Sequence, residues 1–381
     1  MEPNMKRTAL LVALAVVGLA AGCSPVAVRA PAVDAPAAQA PATPAAAPRD
    51  LSVLAEAFLS PMTPDDNIDS PAAWTGVDGG TWLIATAKAT DQLVVYDGDT
   101  GERIRSVGSR GDGPGQFRRP NGVFVIDDLL FVVERDNRRV QVLALPGFDS
   151  LAVFGAGDLV KPYGLWVRPD GDGYELFVTD AYMAGEDADG EDILPPHAQL
   201  DRRVKRFRVD GDSSAMRGEL VQAFGDTGAD GALRVVESIW GDAAGNRLLI
   251  AEEDEAYANE IKVYGLDGRW QGRVFGREVF KAQAEGIALW QCPDGSGYWL
   301  TTEQGPGQTV FHLFDRASLD HVGAFTGAAV ANTDGIWLQQ AGTRAFPDGA
   351  FYAVHDDQGV VAFDWRAIAA ALDLPRRCPG G

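Results

Sequence analysis

The chain has 381 residues, with 54 acidic against 33 basic side chains and a formal net charge of −21. That balance excludes a nucleic-acid partner, because phosphate backbones are held by Lys and Arg, and it repels a bare anionic substrate over long range. Clustered carboxylates suit a hard cation such as Ca²⁺ instead, while 44 glycines, frequent Trp and Phe and little helical periodicity point to an all-β fold.

Residues 1–22 read as an export signal. Lys6 and Arg7 precede an apolar run from Leu10 to Leu19, and the small residues Ala20, Ala21 and Gly22 lead to Cys23. The end of this segment resembles the bacterial lipobox, with Ala20 where Leu is commoner. The resemblance implies cleavage before Cys23, a lipid on its thiol, and a place at the cell envelope, periplasmic or outer-membrane side, where membrane is met only through the anchor. The alternative is ordinary cleavage that leaves Cys23 free. Residues 23–48 are Ala/Pro-rich, a spacer that buries no core. Residues 49–381 are expected to form the folded domain, a monomer with no further apolar run of membrane length. Cys292 and Cys378 form either a disulfide that staples the C-terminal tail or two unrelated thiols.

The body repeats one phrase, a short apolar strand, a polar hinge and a second strand. It runs Trp82–Thr86 with Leu93–Asp97, Leu130–Glu134 with Val140–Leu143, and Glu175–Asp180 with Val204–Val209. It continues as Leu248–Glu252 with Ile261–Tyr264, Tyr298–Thr302 with Val310–Asp315, and Phe351–His355 with Val360–Asp364. A further strand with a Gly turn precedes most phrases, beginning at Asn121, Tyr163, Glu237, Glu285 and Asp334. Short antiparallel units at spacings of roughly 35 to 70 residues predict a six-bladed β-propeller, with the longest insertion at Tyr182–Arg202 and a short helix from Trp365. In a propeller the innermost strand starts near the central channel, so these five polar residues are expected to converge at one mouth; the alternative is that each satisfies its own turn.

Other chemistries find little support. His197, His312, His321 and His355 lack metal-ligand spacing, no Gly-x-Ser-x-Gly elbow occurs, and Gly108–Gly115 lacks the Gly-Lys-Ser/Thr of a phosphate loop.

Val107–Leu143 resembles an NHL repeat through Gly113-Pro-Gly-Gln-Phe117, Pro120-Asn-Gly-Val and Glu134-Arg-Asp-Asn-Arg-Arg-Val-Gln-Val. The C-terminal two-thirds resemble the calcium-dependent β-propeller phytases (3-phytases). The likeness rests on Ile250-Ala-Glu-Glu-Asp-Glu-Ala256 with Glu237 upstream, Ala284-Glu-Gly-Ile287, Gly297-Tyr-Trp-Leu with Glu303-Gln-Gly305, Thr333-Asp-Gly-Ile336 and the closing helix. Ser70-Pro-Ala-Ala-Trp74 and Ile84-Ala-Thr-Ala-Lys88 match more weakly. The resemblance implies a phosphatase of inositol hexakisphosphate or a related phosphate ester that acts through metal-activated water. It places Glu237, Glu253, Glu285, Gln304 and Asp334 on metal positions, with Glu237, Glu285 and Asp334 catalytic, and Lys88, Arg135 and Tyr163 on phosphate. Without the resemblance, Arg135 reads as the partner of Glu134 or Asp136, Lys88 as a solvated loop charge, and Glu252–Glu255 as a solvated turn of which one or two acids ligate. The chain departs from the family at Ala89 and Asp180-Ala181, where lysines stand, and at Ser70 and Gln283, where aspartates stand. These departures favour the other reading, a non-catalytic propeller that binds a protein or ligand at the envelope.

Overall fold

The structure is a computed structural model that describes residues 51–212, 214–254 and 256–379. The export signal, Cys23, the spacer and Glu255 lie outside the described residues. Two short strands come first, β1 (Ser52–Leu54) and β2 (Phe58–Leu59). Blade 1 follows as β3 (Ile68–Thr75), β4 (Thr81–Ala87), β5 (Gln92–Asp97) and β6 (Arg103–Val107). Blade 2 is β7 (Pro120–Ile126), β8 (Leu129–Glu134), β9 (Arg139–Ala144) and β10 (Asp149–Phe154). Blade 3 is β11 (Pro162–Asp170) and β12 (Gly173–Asp180), then the insertion with β13 (Gly185–Glu186), β14 (Asp192–Ile193) and a 3₁₀ turn at His197–Gln199, then β15 (Val204–Asp212) and β16 (Ala215–Phe224). Blade 4 is β17 (Ile239–Asp242), β18 (Arg247–Glu252), β19 (Glu260–Tyr264) and β20 (Trp270–Phe275). Blade 5 is β21 (Gln283–Gln291), β22 (Gly297–Gln304), β23 (Val310–Asp315) and β24 (His321–Gly327). The last strands are β25 (Ile336–Gln339), β26 (Ala350–His355) and β27 (Gly359–Asp364), followed by the helix α1 (Trp365–Leu372).

Each phrase of the repeat is the second and third strand of a four-stranded antiparallel sheet, and the fold is the expected all-β six-bladed propeller. Closure was not legible in the sequence. Blade 6 has only three strands of its own, and β2 from the start of the body supplies its outer strand by pairing with Ala362 and Val361. β1 lies parallel on the outer edge of blade 5. A fourth strand borrowed from the other end of the chain removes one exposed edge and ties the ring shut. Innermost strands touch their neighbours all the way round, β3 to β7, β11, β17, β21, β25 and back to β3.

Strand alternation gives the blades their packing. Leu83, Leu130, Leu176, Leu248, Leu300 and Phe351 are fully buried between sheets. On the axis, Phe124, Trp240 and Trp337 of blades 2, 4 and 6 meet with ring centroids 5.2 to 5.5 Å apart, an aromatic plug that gives the channel an apolar floor. α1 starts at Asp364, whose carboxylate accepts the Arg366 N–H. It buries Trp365, Ile368, Ala369 and Leu372 on one stripe, and Trp365 stacks on Trp290 at 5.4 Å. Cys292 and Cys378 are joined as a disulfide, which resolves the alternative left open by the sequence. Cys378→Ser should lower stability by about 2–4 kcal/mol through the freed 86-residue loop; a melting curve indistinguishable from wild type would show that the staple is idle. Among the described residues, no helix is long and apolar enough to cross a membrane.

Candidate functional site

Every blade opens on the same two-residue step, a polar residue followed by Gly or Ser: Asp69-Ser70, Asn121-Gly122, Tyr163-Gly164, Glu237-Ser238, Glu285-Gly286 and Asp334-Gly335. The ladder breaks register here in blades 1, 2, 3 and 5, a bulge that turns one side chain out of the sheet and toward the axis. The small residue is forced by the neighbouring blade. A Cβ on Gly164 would lie 2.1 Å from the Glu237 carbonyl oxygen, and one on Gly335 would lie 2.5 Å from that of Asp69. Carbonyls at these steps are hydrogen-bonded across the seams, by Thr86 Oγ1 to Asn121 O at 2.7 Å, Thr179 Oγ1 to Glu237 O at 2.8 Å and Gly335 N to Asp69 O at 3.1 Å.

The step delivers Asp69, Tyr163, Glu237, Glu285 and Asp334 to one central cavity of about 60 Å³, floored by the aromatic plug. That volume takes a few waters or ions and excludes any sugar phosphate, so a larger ligand stays at the mouth. Asn121 is fully buried at the equivalent place, and neither atom of its side-chain amide has a hydrogen-bond partner. Ser70 therefore does not mark a lost acid: Asp69, one residue earlier, occupies the blade 1 position.

The mouth has two halves. On the side of blades 4 and 5, Glu237, Glu253 and Glu285 each present a carboxylate oxygen within 4.8 Å of the other two. Ser238 N donates to Glu253 at 3.0 Å, and Gln283 Nε2 donates to Glu285 at 3.0 Å. The second oxygen of Glu253 is buried without any partner. Burial pushes the Glu237 carboxyl up to about 7, with Asp69 adding to the rise. Burial and then neighbouring carboxylates push Glu253 and Glu285 well above the usual range. On the other side, Lys88 Nζ lies 2.6 Å from Asp69, 3.4 Å from Asp334 and 3.3 Å from the Tyr163 hydroxyl. Burial works against the charge of Lys88, but the two carboxylates outweigh it and raise its pKa. Gln304 donates to the remaining oxygen of Asp334. The part-buried Asp357, pushed up by burial, completes this half with one unpaired oxygen.

The residues present fit a hard divalent cation at Glu237, Glu253 and Glu285: three oxygen donors converge, one oxygen is orphaned, and among the described residues no lysine or arginine forms an ion pair with any of them. Gln304 and Asp334 stand beside that trio rather than in it. Lys88 is neither solvated nor a free phosphate donor, since two carboxylates already hold it. Arg135 is off the ring: its Nε pairs with Asp136 at 2.8 Å, and it lines a separate cleft of about 660 Å³ with Arg138, Lys161 and the blade 3 insertion. Tyr163 is on the ring, but its hydroxyl is engaged by Asp69 and Lys88.

The acidic run Glu252–Glu255 divides by position. Glu252 is one of a repeated set of structural acids at the end of the second strand in blades 2 to 5, each accepting a backbone N–H from the loop that leads to the innermost strand. The donors are Arg118 to Glu134, Lys161 to Asp180, Arg234 to Glu252 and Lys281 to Glu303. Each acid pairs with a base, Arg139 at 2.6 Å, Lys205 at 2.6 Å, Lys262 at 2.9 Å and His312 at 3.2 Å respectively. Glu253 is the next residue, and the pleat turns it to the opposite, channel side. Sequence reasoning missed Asp357, which lies in a hairpin, and Arg119, whose charge acts on Glu237. It also separated His312 from His321, which the hairpin of blade 5 brings to 3.1 Å.

No protein-family model and no curated protein matches the chain. Solved structures do match. One is a crystal structure of BBS1N in complex with ARL6DN, at 12% identity and TM-score 0.47 over 82% of this chain and 96% of that one. Another is the hydrazine synthase of Kuenenia stuttgartiensis, at 14% identity and TM-score 0.42 over 87% and 82%. A third is a nidogen/laminin complex, at 12% identity and TM-score 0.44 over 72% and 86%.

Proposed function

We propose that the propeller mouth binds divalent cations, Ca²⁺ by the character of its donors, and that the loaded protein hydrolyses phosphomonoesters of the inositol hexakisphosphate kind. The observation that carries this reading is the convergence of Glu237, Glu253 and Glu285, which form no ion pair among the described residues, with one Glu253 oxygen buried and unpartnered. A bound cation would polarise phosphoryl oxygens and lower the pKa of a water. Glu237 and Asp334, both part-buried at the mouth, are the carboxylates placed to meet a substrate. Glu253 and Glu285 lie deeper and serve as ligands. Asp69 and Tyr163 hold Lys88 in place, and with it the position of Asp334. The apolar floor keeps bulk water from the far end of the channel. In this reading the protein is a monomer tethered at the cell envelope through lipidated Cys23.

One observation favours the second reading, a non-catalytic envelope propeller: the expected phosphate donors are spent, Lys88 on Asp69 and Asp334 and Arg135 on Asp136. Phosphate release from inositol hexakisphosphate and from simple phosphate esters decides between them. The enzymatic reading expects release that needs Ca²⁺, stops with a chelator, and falls at least a hundredfold in Glu237→Ala. Calcium binding without release of phosphate from any ester would leave the binding protein standing.

A further inference from the structure

Two histidines on the outer part of blade 5 face one another. His312 on β23 is buried and His321 at the start of β24 is exposed. His312 Nδ1 and His321 Nε2 lie 3.1 Å apart. The tautomer of each ring is set by its other nitrogen. His312 Nε2 lies 3.2 Å from the Glu303 carboxylate, which is held ionised below the usual range despite burial, by its bonds to His312 and Lys281 N. An ionised carboxylate only accepts, so the proton of His312 sits on Nε2 and Nδ1 carries a lone pair. That lone pair points at His321 Nε2, on a ring that reaches solvent. Two ring nitrogens at this separation are spaced to share one cation.

We infer that His312 Nδ1 and His321 Nε2 bind one late first-row divalent ion, Zn²⁺ or Cu²⁺, with Glu303 as the carboxylate that orients the inner ligand. Imidazole nitrogens at about 2.0–2.1 Å from such an ion in a tetrahedral arrangement stand about 3.3 Å apart, close to the separation seen. A carboxylate behind a ligating histidine is the usual outer partner of such sites and raises the ligand's basicity. The rings of Phe280, 5.2 Å from His312, and Phe314, 5.2 Å from His321, wall the pair. β1 covers β24 only at Phe325–Gly327, so the His321 end stays open and water completes the coordination. The site is chemically distinct from the oxygen-only mouth: nitrogen donors select against Ca²⁺.

The test is a titration of the tag-free full-length protein with Cu²⁺ and with Zn²⁺ in excess Ca²⁺, followed by calorimetry and, for Cu²⁺, by electron paramagnetic resonance. The expected result is one ion per chain with a two-nitrogen signature. His321→Ala, at an exposed position that leaves the core intact, should weaken binding at least tenfold and remove one nitrogen from the spectrum, and Glu303→Gln should weaken it by about tenfold. Binding that is absent, or equal in wild type and His321→Ala, overturns the inference.

Discussion

In the presence of a chelator the protein should melt at a higher temperature at pH 5 than at pH 8. The sign follows from the raised carboxyl pKa values at the mouth. Glu237 goes from an ordinary 4.5 to about 7 on folding, chiefly through burial, and Glu253, Glu285 and Asp334 move in the same direction. Between the unfolded and folded values the native state holds more protons than the unfolded one, so stability falls as pH rises through that window. For Glu237 alone the loss between pH 4.5 and 7 is about 3 kcal/mol, at 1.36 kcal/mol per unit. A cation at Glu237, Glu253 and Glu285 reverses the penalty, so the rise in melting temperature on adding Ca²⁺ should be larger at pH 8 than at pH 5. The general negative charge of the chain also acts against stability at high pH, and Glu253→Gln separates the two effects. It removes a buried carboxylate that has no counter-ion, so it should flatten the pH slope, stabilise the metal-free protein at pH 8 and weaken Ca²⁺ binding at least a hundredfold. A metal-free melting temperature that is flat or rising from pH 5 to pH 8 would mean that the acids at the mouth are already compensated.

The reason such an arrangement can be read from residue types is the repeat. Apolar alternation and recurring Gly turns marked the second and third strands of every blade, and the shared phase of Tyr163, Glu237, Glu285 and Asp334 marked one end of the channel, because identical positions in a radial repeat meet on its axis. The same phase places Asp69, yet the Ser70 and Pro71 that follow break the Gly pattern and hid it. Asp357 and the closure by β2 left no signal, since both depend on contacts between the two ends of the chain. Arg135 and Lys88 are the instructive pair. Their residue types suit phosphate, but a neighbouring carboxylate already claims each, and pairing across 19 residues for Lys88 with Asp69, or 246 with Asp334, is invisible to spacing. His312 and His321 went unseen for a related reason: they lie nine residues apart, and only the hairpin turns that interval into a contact.

Lys262→Met should cost about 3–5 kcal/mol of stability and also weaken Ca²⁺ binding at least tenfold. Lys262 is fully buried, 2.9 Å from Glu252 and 3.8 Å from Glu260, and also donates to Ala232 O. Removing one member of a buried ion pair strands the other, and the penalty of the stranded charge dominates. The effect on the mouth follows from connectivity. Glu252 accepts the N–H groups of Arg234 and Val235, three and two residues ahead of Glu237, and is itself the residue before Glu253. A Glu252 that swings toward solvent moves two of the three acids of the trio together. Lys205→Met supplies the comparison. Lys205 pairs with Asp180 at 2.6 Å in blade 3, and Asp180 accepts the Lys161 N–H ahead of Tyr163. It should lose comparable stability, since it strands an equally buried acid, while Ca²⁺ affinity stays within about threefold because no acid of the trio depends on that loop. Equal losses of Ca²⁺ affinity in the two variants would place the cation nearer the axis than the trio allows. Loss of affinity in neither would mean that the loop before Glu237 is held by the ring seams alone, where the Glu237 carbonyl is clasped by Thr179.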